Sequence, residues 1–460
     1  MGKQVSLRTE LKALVDELDL THEGAFSWST EDGFPEFSTA ENGLQRHFTK
    51  KARESLWRLS STLYQNRDRT ATRIELGNYQ KYLRQAIADL HASEALSGSL
   101  INNAENGNDP LARLRNLVEE RIKNSHKAFT HYFPAWTLGI EPFALGPVDF
   151  LSRTDWIDSV DFSQQAKDCF LNQPEANYRW REILKETFEH PNGNTVLDGL
   201  AGPIYSAIEK CPALIKVTIH GYEQEFSRKL ARLVCKTALD AISLGIGTRE
   251  CFLQQALQDE RLPPVGTHSL VETDGFLWLP GTHLGHRIPG IPPQRMQQAL
   301  NDMAEIRKAF EAILEKLVNP SIHQHPNLAN RWATALDWYG EGCRESSDAI
   351  AVAKLGTCLD VLCCGGKKPG ILKMVVHLTG TPETTEVVSG IRPRTLKQLV
   401  EDIYEHGRSQ ILHGNHYDRL ESFATERSHA AYLARITLIQ AAVRLQHYSG
   451  PDEDKAFRTI

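Results

Sequence analysis

Residues 403–416 read IYEHGRSQILHGNH, and this stretch decides the fold of the C-terminal third of the 460-residue chain. Just upstream, Thr395 and Gln398 have the spacing of a capping box, which predicts that a helix begins there. Gly414 favours an end to that helix just after His413. The helix has an apolar face whose members recur at helical spacing: Leu396, Leu399, Val400, Ile403 and Tyr404.

Outward from this helix, the chain divides into three predicted domains and a tail. Residues 294–450 are predicted to form a helical bundle, because their apolar residues recur at helical spacing. Residues 129–293 mix β-branched and aromatic runs with Pro and Gly, which indicates a mixed α/β domain. Residues 1–128 are predicted to be mostly helical and residues 451–460 to be a loose tail. The expected fold class is therefore mainly α and multidomain.

The composition excludes several classes of protein. The formal charge of −6 is not that of a basic nucleic-acid coat, so any RNA contact must come from a local patch. No apolar run reaches the roughly 18 residues that span a bilayer. The eight cysteines form no C-x-x-C pair, which favours a reduced cytoplasmic protein with free thiols. His268, His283 and His286 lack an acidic or thiol partner at ligand spacing, and we predict no metal site and no cofactor.

Arg408 and His413 are the residue pair best suited to catalysis. Residues five apart in an unbroken α-helix are rotated by about 140°, so they could not share a site within one straight helix. They would converge if the helix broke near His413. A second copy of the chain, facing the first, would also complete the site.

The segment Arg408-Ser-Gln-Ile-Leu-His-Gly414 resembles the R-x4–6-H signature of HEPN domains, in particular the Apea-like subgroup. Upstream, residues 355–362 (LGTCLDVL) resemble the subgroup's helix with an acidic residue before a hydrophobic pair, and Asp360 stands where Glu is more usual. The resemblance covers about a third of the chain. It implies a metal-independent endoribonuclease that acts as a homodimer through its C-terminal helical domain. Similar proteins are often toxins or antiphage defence effectors.

The residues suit this chemistry. His413 can accept the proton of an RNA 2′-OH or protonate the leaving 5′-oxygen, since histidine titrates near neutrality. In a dimer, two copies of His413 could divide these roles. Arg408 can stabilise charge on the phosphorus, and Ser409 and Asn415 can orient the phosphate. The expected products carry 2′,3′-cyclic phosphates.

Two alternatives from other classes stand beside the nuclease. In a non-catalytic scaffold, Arg408 would pair with Glu405 or Asp402 on its own helix, and His413 would cap the helix end. In an RNA-binding or partner-binding regulatory protein, a different part of the chain would carry the function. In the nuclease, by contrast, the N-terminal and middle regions would sense a protein trigger, hold the nuclease inactive or select the RNA.

A basic stretch in the N-terminal region is the candidate for that RNA contact. Between residues 45 and 84 the sequence has ten Lys or Arg against three Asp or Glu. The predicted RNA-binding residues recur on one helical face: Arg46, Lys50, Arg53 and Trp57. A charged helix face of this kind is more often simply solvated.

Overall fold

The computed structural model describes most of the chain. The described residues are 7–22, 36–68, 72–97, 109–125, 128–191, 196–261, 267–279, 281–283, 292–414 and 420–460. These residues are mainly helical, as predicted, and they form two compact units. The predicted boundary near residue 293 falls inside the second unit, and the division into three domains stays a prediction.

The first unit comprises residues 1–129 and 219–229. Its described elements are α1 Leu7–His22, β1 Glu36–Thr39, β2 Gln45–Phe48, α2 Lys50–Gln65, α3 Leu76–Ala92 and α4 Pro110–Ser125. α2 begins where the Thr49 hydroxyl accepts the backbone N–H of Ala52 at 3.2 Å, so one unpaired helix donor is satisfied. The helices bury their apolar faces in a shared core that includes Leu14, Leu56 and Leu83.

The second unit comprises residues 130–218 and 230–460. It contains a five-stranded sheet in the order β4-β5-β6-β3-β7. The strands are β3 Phe129–Trp136, β4 Phe143–Leu145, β5 Val148–Ser152, β6 Ala213–Ile219 and β7 Ala256–Leu257. Helices between them are α5 Arg153–Ser159, α6 Gln164–Cys169, α7 Pro174–Tyr178, α8 Trp180–Glu189, α9 Ala201–Ile208, α10 Gln224–Ile246 and α11 Arg249–Gln254. The β-branched run of β6 is largely buried, as is typical of a strand inside a sheet.

Short strands and a set of long helices complete the second unit. The strands are β8 Thr267–Ser269, β9 Glu272–Thr273, β10 Phe276–Leu277, β11 Gly281–His283, β12 Glu386–Val388 and β13 Arg394–Thr395. The helices are α12 Pro293–Asp302, α13 Ala304–Val318, α14 Pro326–Arg344, α15 Asp348–Cys363, α16 Lys367–Thr379, α17 Leu396–Glu401, α18 Gln410–Leu412 and α19 Ala424–His447. α14, α15 and α19 pack against one another and bury Trp332, Leu355 and Leu438. This bundle holds the segment that carries Arg408.

The prediction of a loose tail at 451–460 is wrong. Phe457 is fully buried, and the Asp452 carboxylate accepts the backbone N–H of Leu328 at 3.0 Å. Arg458 donates to the carbonyl oxygens of Cys363 at 3.0 Å and Gly365 at 2.8 Å. The tail thus satisfies unpaired groups at the start of α14 and the end of α15, and these contacts hold it in place.

No single helix in the described part of the chain is long and apolar enough to cross a membrane. α15 and α16 meet that criterion only when they are joined, and they are bent by 74° relative to each other.

Candidate functional site

Arg408 lies on a π-helix, Asp402–Ser409, between α17 and α18. The predicted capping box begins this helical segment: the backbone N–H of Gln398 donates to Thr395 Oγ1 at 3.3 Å, and Thr395 N–H donates to Gln398 Oε1 at 3.0 Å. The wider π turn was not predicted from the sequence. Such turns are rare in proteins as a whole, and those that occur are often found at functional sites.

Two glycines allow the π-helix to lie against α15. A Cβ atom on Gly356 would lie 3.0 Å from Arg408 Cβ, closer than carbon atoms tolerate without movement. A Cβ atom on Gly407 would overlap the Val352 side chain. These two positions were missed in the sequence, although a glycine within each helical pattern is the signal that would have found them.

The Arg408 side chain is fixed by α15. Its Nη2 lies 2.9 Å from Asp360 Oδ2, and its Nε donates a long hydrogen bond of 3.4 Å to Thr357 Oγ1. Its guanidinium carbon lies 5.4 Å from the centre of the Tyr404 ring. A guanidinium has five N–H donors, and the described residues engage two of them. The side chain is 23% exposed, so it is open to a ligand.

The structure thus brings together two segments that the sequence analysis singled out separately. Asp360 and Arg408 are 48 positions apart in the sequence and form an ion pair. The alternative partners of Arg408 are engaged elsewhere. Asp402 accepts from Arg394 Nε at 2.9 Å, and Glu405 lies 2.8 Å from Lys368 Nζ. The interpretation that Arg408 pairs along its own helix is therefore wrong.

His413 is exposed and lies where α18 ends. Its backbone N–H donates to the carbonyl oxygen of Ser409 at 3.0 Å, so helical bonding continues up to it. Gly414 then takes a left-handed φ of +69° and ends the helix, as predicted. The break comes too late to turn His413 back toward Arg408. Among the described residues, no hydrogen bond or ion pair joins these two side chains.

The structure gives less information on the predicted supporting residues Ser409 and Asn415. Ser409 is half-buried, and its carbonyl oxygen takes part in the helical bond to His413. Asn415 lies outside the described residues. The geometry therefore offers an anchored cation, Arg408, and an exposed imidazole, His413, on one short helical segment.

The predicted RNA-binding face of the first unit is only partly continuous. Lys50, Arg53 and Trp57 lie on α2, but Arg46 lies on strand β2, so the prediction of one helical face for all four is wrong. The physical reason is the cap at Thr49, which starts the helix after Arg46.

Two of these four side chains are available to a ligand. Lys50 is exposed, and the Trp57 side chain is 58% exposed. Arg53 lies 3.8 Å from a Glu36 oxygen. The Nε of Arg46 donates to His91 Nδ1 at 2.7 Å, and burial lowers the pKa of Arg46 from its ordinary value. Arg46 is thus held within its own unit.

Three comparisons with known proteins identified no relative of this chain. A scan against protein-family models, a search of curated proteins and a search of solved structures found no match to this chain. Function is therefore inferred from the residues and their geometry.

Proposed function

We propose that this protein is a metal-independent endoribonuclease that cuts RNA at an Arg408/His413 site completed by a second copy of the chain. The observation that carries the proposal is the set of contacts that Arg408 makes. Arg408 is anchored by Asp360 and Thr357, it has further N–H donors that no described residue engages, and it lies five residues before an exposed histidine. An anchored guanidinium loses little conformational freedom when it binds a phosphate.

The reaction needs only groups that RNA and the protein supply. His413 removes the proton from a 2′-OH, and the 2′-oxygen attacks the adjacent phosphorus. The bond from phosphorus to the 5′-oxygen breaks, and that oxygen takes up a proton. The products are a 2′,3′-cyclic phosphate and a 5′-OH. Arg408 stabilises the negative charge that builds on the phosphoryl oxygens.

A second copy of the chain accounts for the distance between the two side chains. Within one chain, no hydrogen bond or ion pair joins the Arg408 and His413 side chains among the described residues. In a two-fold symmetric dimer, each surface meets its own copy, so an Arg408 from one chain can face a His413 from the other. We infer that the homodimer forms through the C-terminal helical region.

The biological setting follows from the resemblance to HEPN domains and belongs to the proposal. On this account the protein is a toxin or antiphage defence effector in the cytoplasm. The first unit then responds to a protein trigger or inhibitor, or helps to hold RNA through Lys50 and the exposed Trp57 ring.

The test is cleavage of total cellular RNA in EDTA by the wild type and by His413→Ala, with analysis of the ends. We expect cutting by the wild type, cyclic phosphate ends, and loss of cutting in His413→Ala. His447→Ala is the matched control, because His447 is exposed at the end of α19 and lies outside the site. A magnesium requirement with 3′-OH ends, or equal cutting by His413→Ala, would contradict the proposal.

A non-catalytic scaffold is the second candidate, and one observation favours it. The Arg408–Asp360 pair joins the π-helix to α15, which is a structural role in itself. A scaffold retains its cellular effect in His413→Ala, whereas a nuclease loses that effect while it remains folded and dimeric.

A further inference from the structure

A cavity in the first unit lies between α2, α3 and α4 and is lined mainly by polar and charged side chains. Its volume is about 590 Å³, within the roughly 300–1,000 Å³ of small-ligand sites. In its described lining, apolar side-chain surface comes from Leu63 and from the ring of Tyr79. The cavity therefore suits a polar ligand better than an apolar one.

Arg67 forms an anchored part of the wall. Its Nε and Nη2 donate to the two carboxylate oxygens of Glu119 at 2.7 and 2.8 Å, and Nη2 also donates to the carbonyl oxygen of Thr72 at 3.0 Å. Its guanidinium carbon lies 5.3 Å from the centre of the Tyr79 ring. The side chain is 10% exposed, and its Nη1 has no partner among the described residues. Glu119 is thus neutralised, while Arg67 keeps N–H donors in a fixed place.

The hydroxyl of Tyr79 is a buried donor without a protein partner. Tyr79 is 2% exposed and lines the cavity, yet its hydroxyl has no hydrogen bond to any described residue. Buried tyrosine hydroxyls usually have a partner, because an unpaired buried polar group is costly. Burial raises the pKa of Tyr79 to about 12, so the hydroxyl keeps its proton at neutral pH and can donate it. A ligand in the cavity would supply the missing acceptor.

Two cations on α4 give the cavity its charge. Arg115, Glu119 and Lys123 follow one another at intervals of four residues, so they lie along one face of the helix. Arg115 and Lys123 have no hydrogen bond or ion pair through their side chains with any described residue. Asp68 is the second carboxylate of the described lining. Three cations against two carboxylates leave a net charge of 3 − 2 = +1, which favours an anion.

These groups select a small anion that also carries hydroxyl groups. An anionic oxygen matches the cations, the free donors of Arg67 and the Tyr79 hydroxyl. The two carboxylates can accept hydrogen bonds from ligand hydroxyls, since each carboxylate oxygen accepts more than one. A nucleobase would find little apolar surface, because Arg67 lies over the Tyr79 ring. Inorganic phosphate would fill only a small part of the volume.

We propose that this cavity binds a sugar phosphate. The phosphate group pairs with Arg115 and accepts a hydrogen bond from the Tyr79 hydroxyl, and the sugar hydroxyls donate to Asp68 and Glu119. Lys123 lies about 12 Å further along α4 and donates to the other end of the sugar. The cavity belongs to the first unit and shares no residue with the Arg408/His413 site, so this inference does not rest on the proposed nuclease.

The test is isothermal titration calorimetry of the full-length chain with glucose 6-phosphate and ribose 5-phosphate. Inorganic phosphate, glucose and AMP are the reference ligands, and AMP is ribose 5-phosphate with a base added. Arg115→Ala removes the main phosphate partner, and Tyr79→Phe removes the hydroxyl but keeps the ring. Arg113→Ala is the matched control, since Arg113 is an exposed cation on α4 that does not line the cavity.

We expect Arg115→Ala to weaken sugar-phosphate binding about tenfold or more and Tyr79→Phe to weaken it severalfold, while Arg113→Ala changes it less than about twofold. Glucose and inorganic phosphate should bind much more weakly than glucose 6-phosphate. The inference would be overturned if the wild type bound neither sugar phosphate at millimolar concentration, or if Arg115→Ala bound them unchanged. Tighter binding of AMP than of ribose 5-phosphate, or equal binding of inorganic phosphate, would also overturn it.

Discussion

Two arginine–aspartate pairs in the second unit differ in how many of their hydrogen-bonding groups have a protein partner and in how far they are buried. Arg344 pairs with both carboxylate oxygens of Asp240, and its Nε donates to the carbonyl oxygen of Phe252 at 2.9 Å. The two side chains are 3% and 1% exposed. In the Arg408–Asp360 pair the exposed fractions are 23% and 19%, and three Arg408 donors have no partner among the described residues.

The difference separates a structural arginine from one that is available to a ligand. Arg344 joins α14 to α10 and α11, and its buried charge is stable only while Asp240 is present. Arg408 is held by Asp360 and Thr357 but keeps N–H donors that no described residue engages. The same residue pair thus holds the bundle together in one place and presents a cation in the other.

The largest effect is expected at the buried pair. Arg344→Ala removes the nearest cation from Asp240 and leaves only Lys236, at 3.5 Å, beside this buried carboxylate. We expect the free energy of unfolding to fall by about 3 kcal/mol, the lower end for a broken buried pair. Urea unfolding measures this change, and labelling of Cys343 reports it a second way. Burial raises the pKa of the Cys343 thiol to about 12, so it should react only when its surroundings open.

A control distinguishes charge from packing at the same place. The double variant Arg344→Met, Asp240→Leu removes both charges and should recover much of the stability, because similar buried pairs are replaceable by apolar residues. If Arg344→Ala were as stable as the wild type, Arg344 would not have the structural role assigned to it.

A smaller effect is expected from loosening Arg408 without removing it. Asp360→Asn keeps the shape but removes the charge that orients the guanidinium, so we expect RNA cleavage to fall about 10- to 100-fold. The loss should appear in kcat more than in KM, and Asp360→Glu should restore part of it. Cleavage at the wild-type rate in Asp360→Asn would show that Asp360 does not position Arg408.

The smallest effect concerns a third arginine, Arg46, whose partner can titrate. His91 Nδ1 accepts from Arg46 Nε, and His22 Nε2 accepts the backbone N–H of His47 at 3.1 Å, so both rings must be neutral. Burial lowers the pKa of His22 from 6.5 to about 4, and it lowers the pKa of His91 as well. The unfolded chain therefore takes up protons first, and stability falls as the pH drops from about 6.5 to 4.

Because the His22 ring is more exposed than buried, we expect this loss to be roughly 1 kcal/mol. Hydrogen exchange, corrected for the intrinsic effect of pH, should show lower protection of α1 and α3 at pH 5 than at pH 7. His22→Gln should flatten the dependence. Equal protection of these helices at both pH values would show that the neutral rings are not required.

Local features of this fold follow from the sequence more readily than tertiary ones. The capping box at Thr395 and the helix end at Gly414 depend on neighbouring residues, and both were predicted. The burial of Phe457 and the pairing of Asp360 with Arg408 depend on segments far apart in sequence. The π-helix depends on packing against α15, so helical spacing alone could not distinguish it from an α-helix.

For the candidate site, the sequence identified Arg408, His413 and Asp360 but not how they are arranged. The contribution of Thr357 was missed, since a threonine within a helix carries no signal of its own. Arg46 was assigned to the wrong element because the capping role of Thr49 was overlooked.

The central claim is that Arg408 serves a ligand and not the fold, and one paired measurement on Arg408→Ala tests it directly. RNA cleavage and the free energy of unfolding are measured on the same preparation. We predict that cleavage falls by about 10²–10³-fold while stability changes by no more than about 1 kcal/mol, because this ion pair remains in partial contact with water. Undiminished cleavage, or a loss of cleavage that only follows unfolding of the chain, would contradict the account.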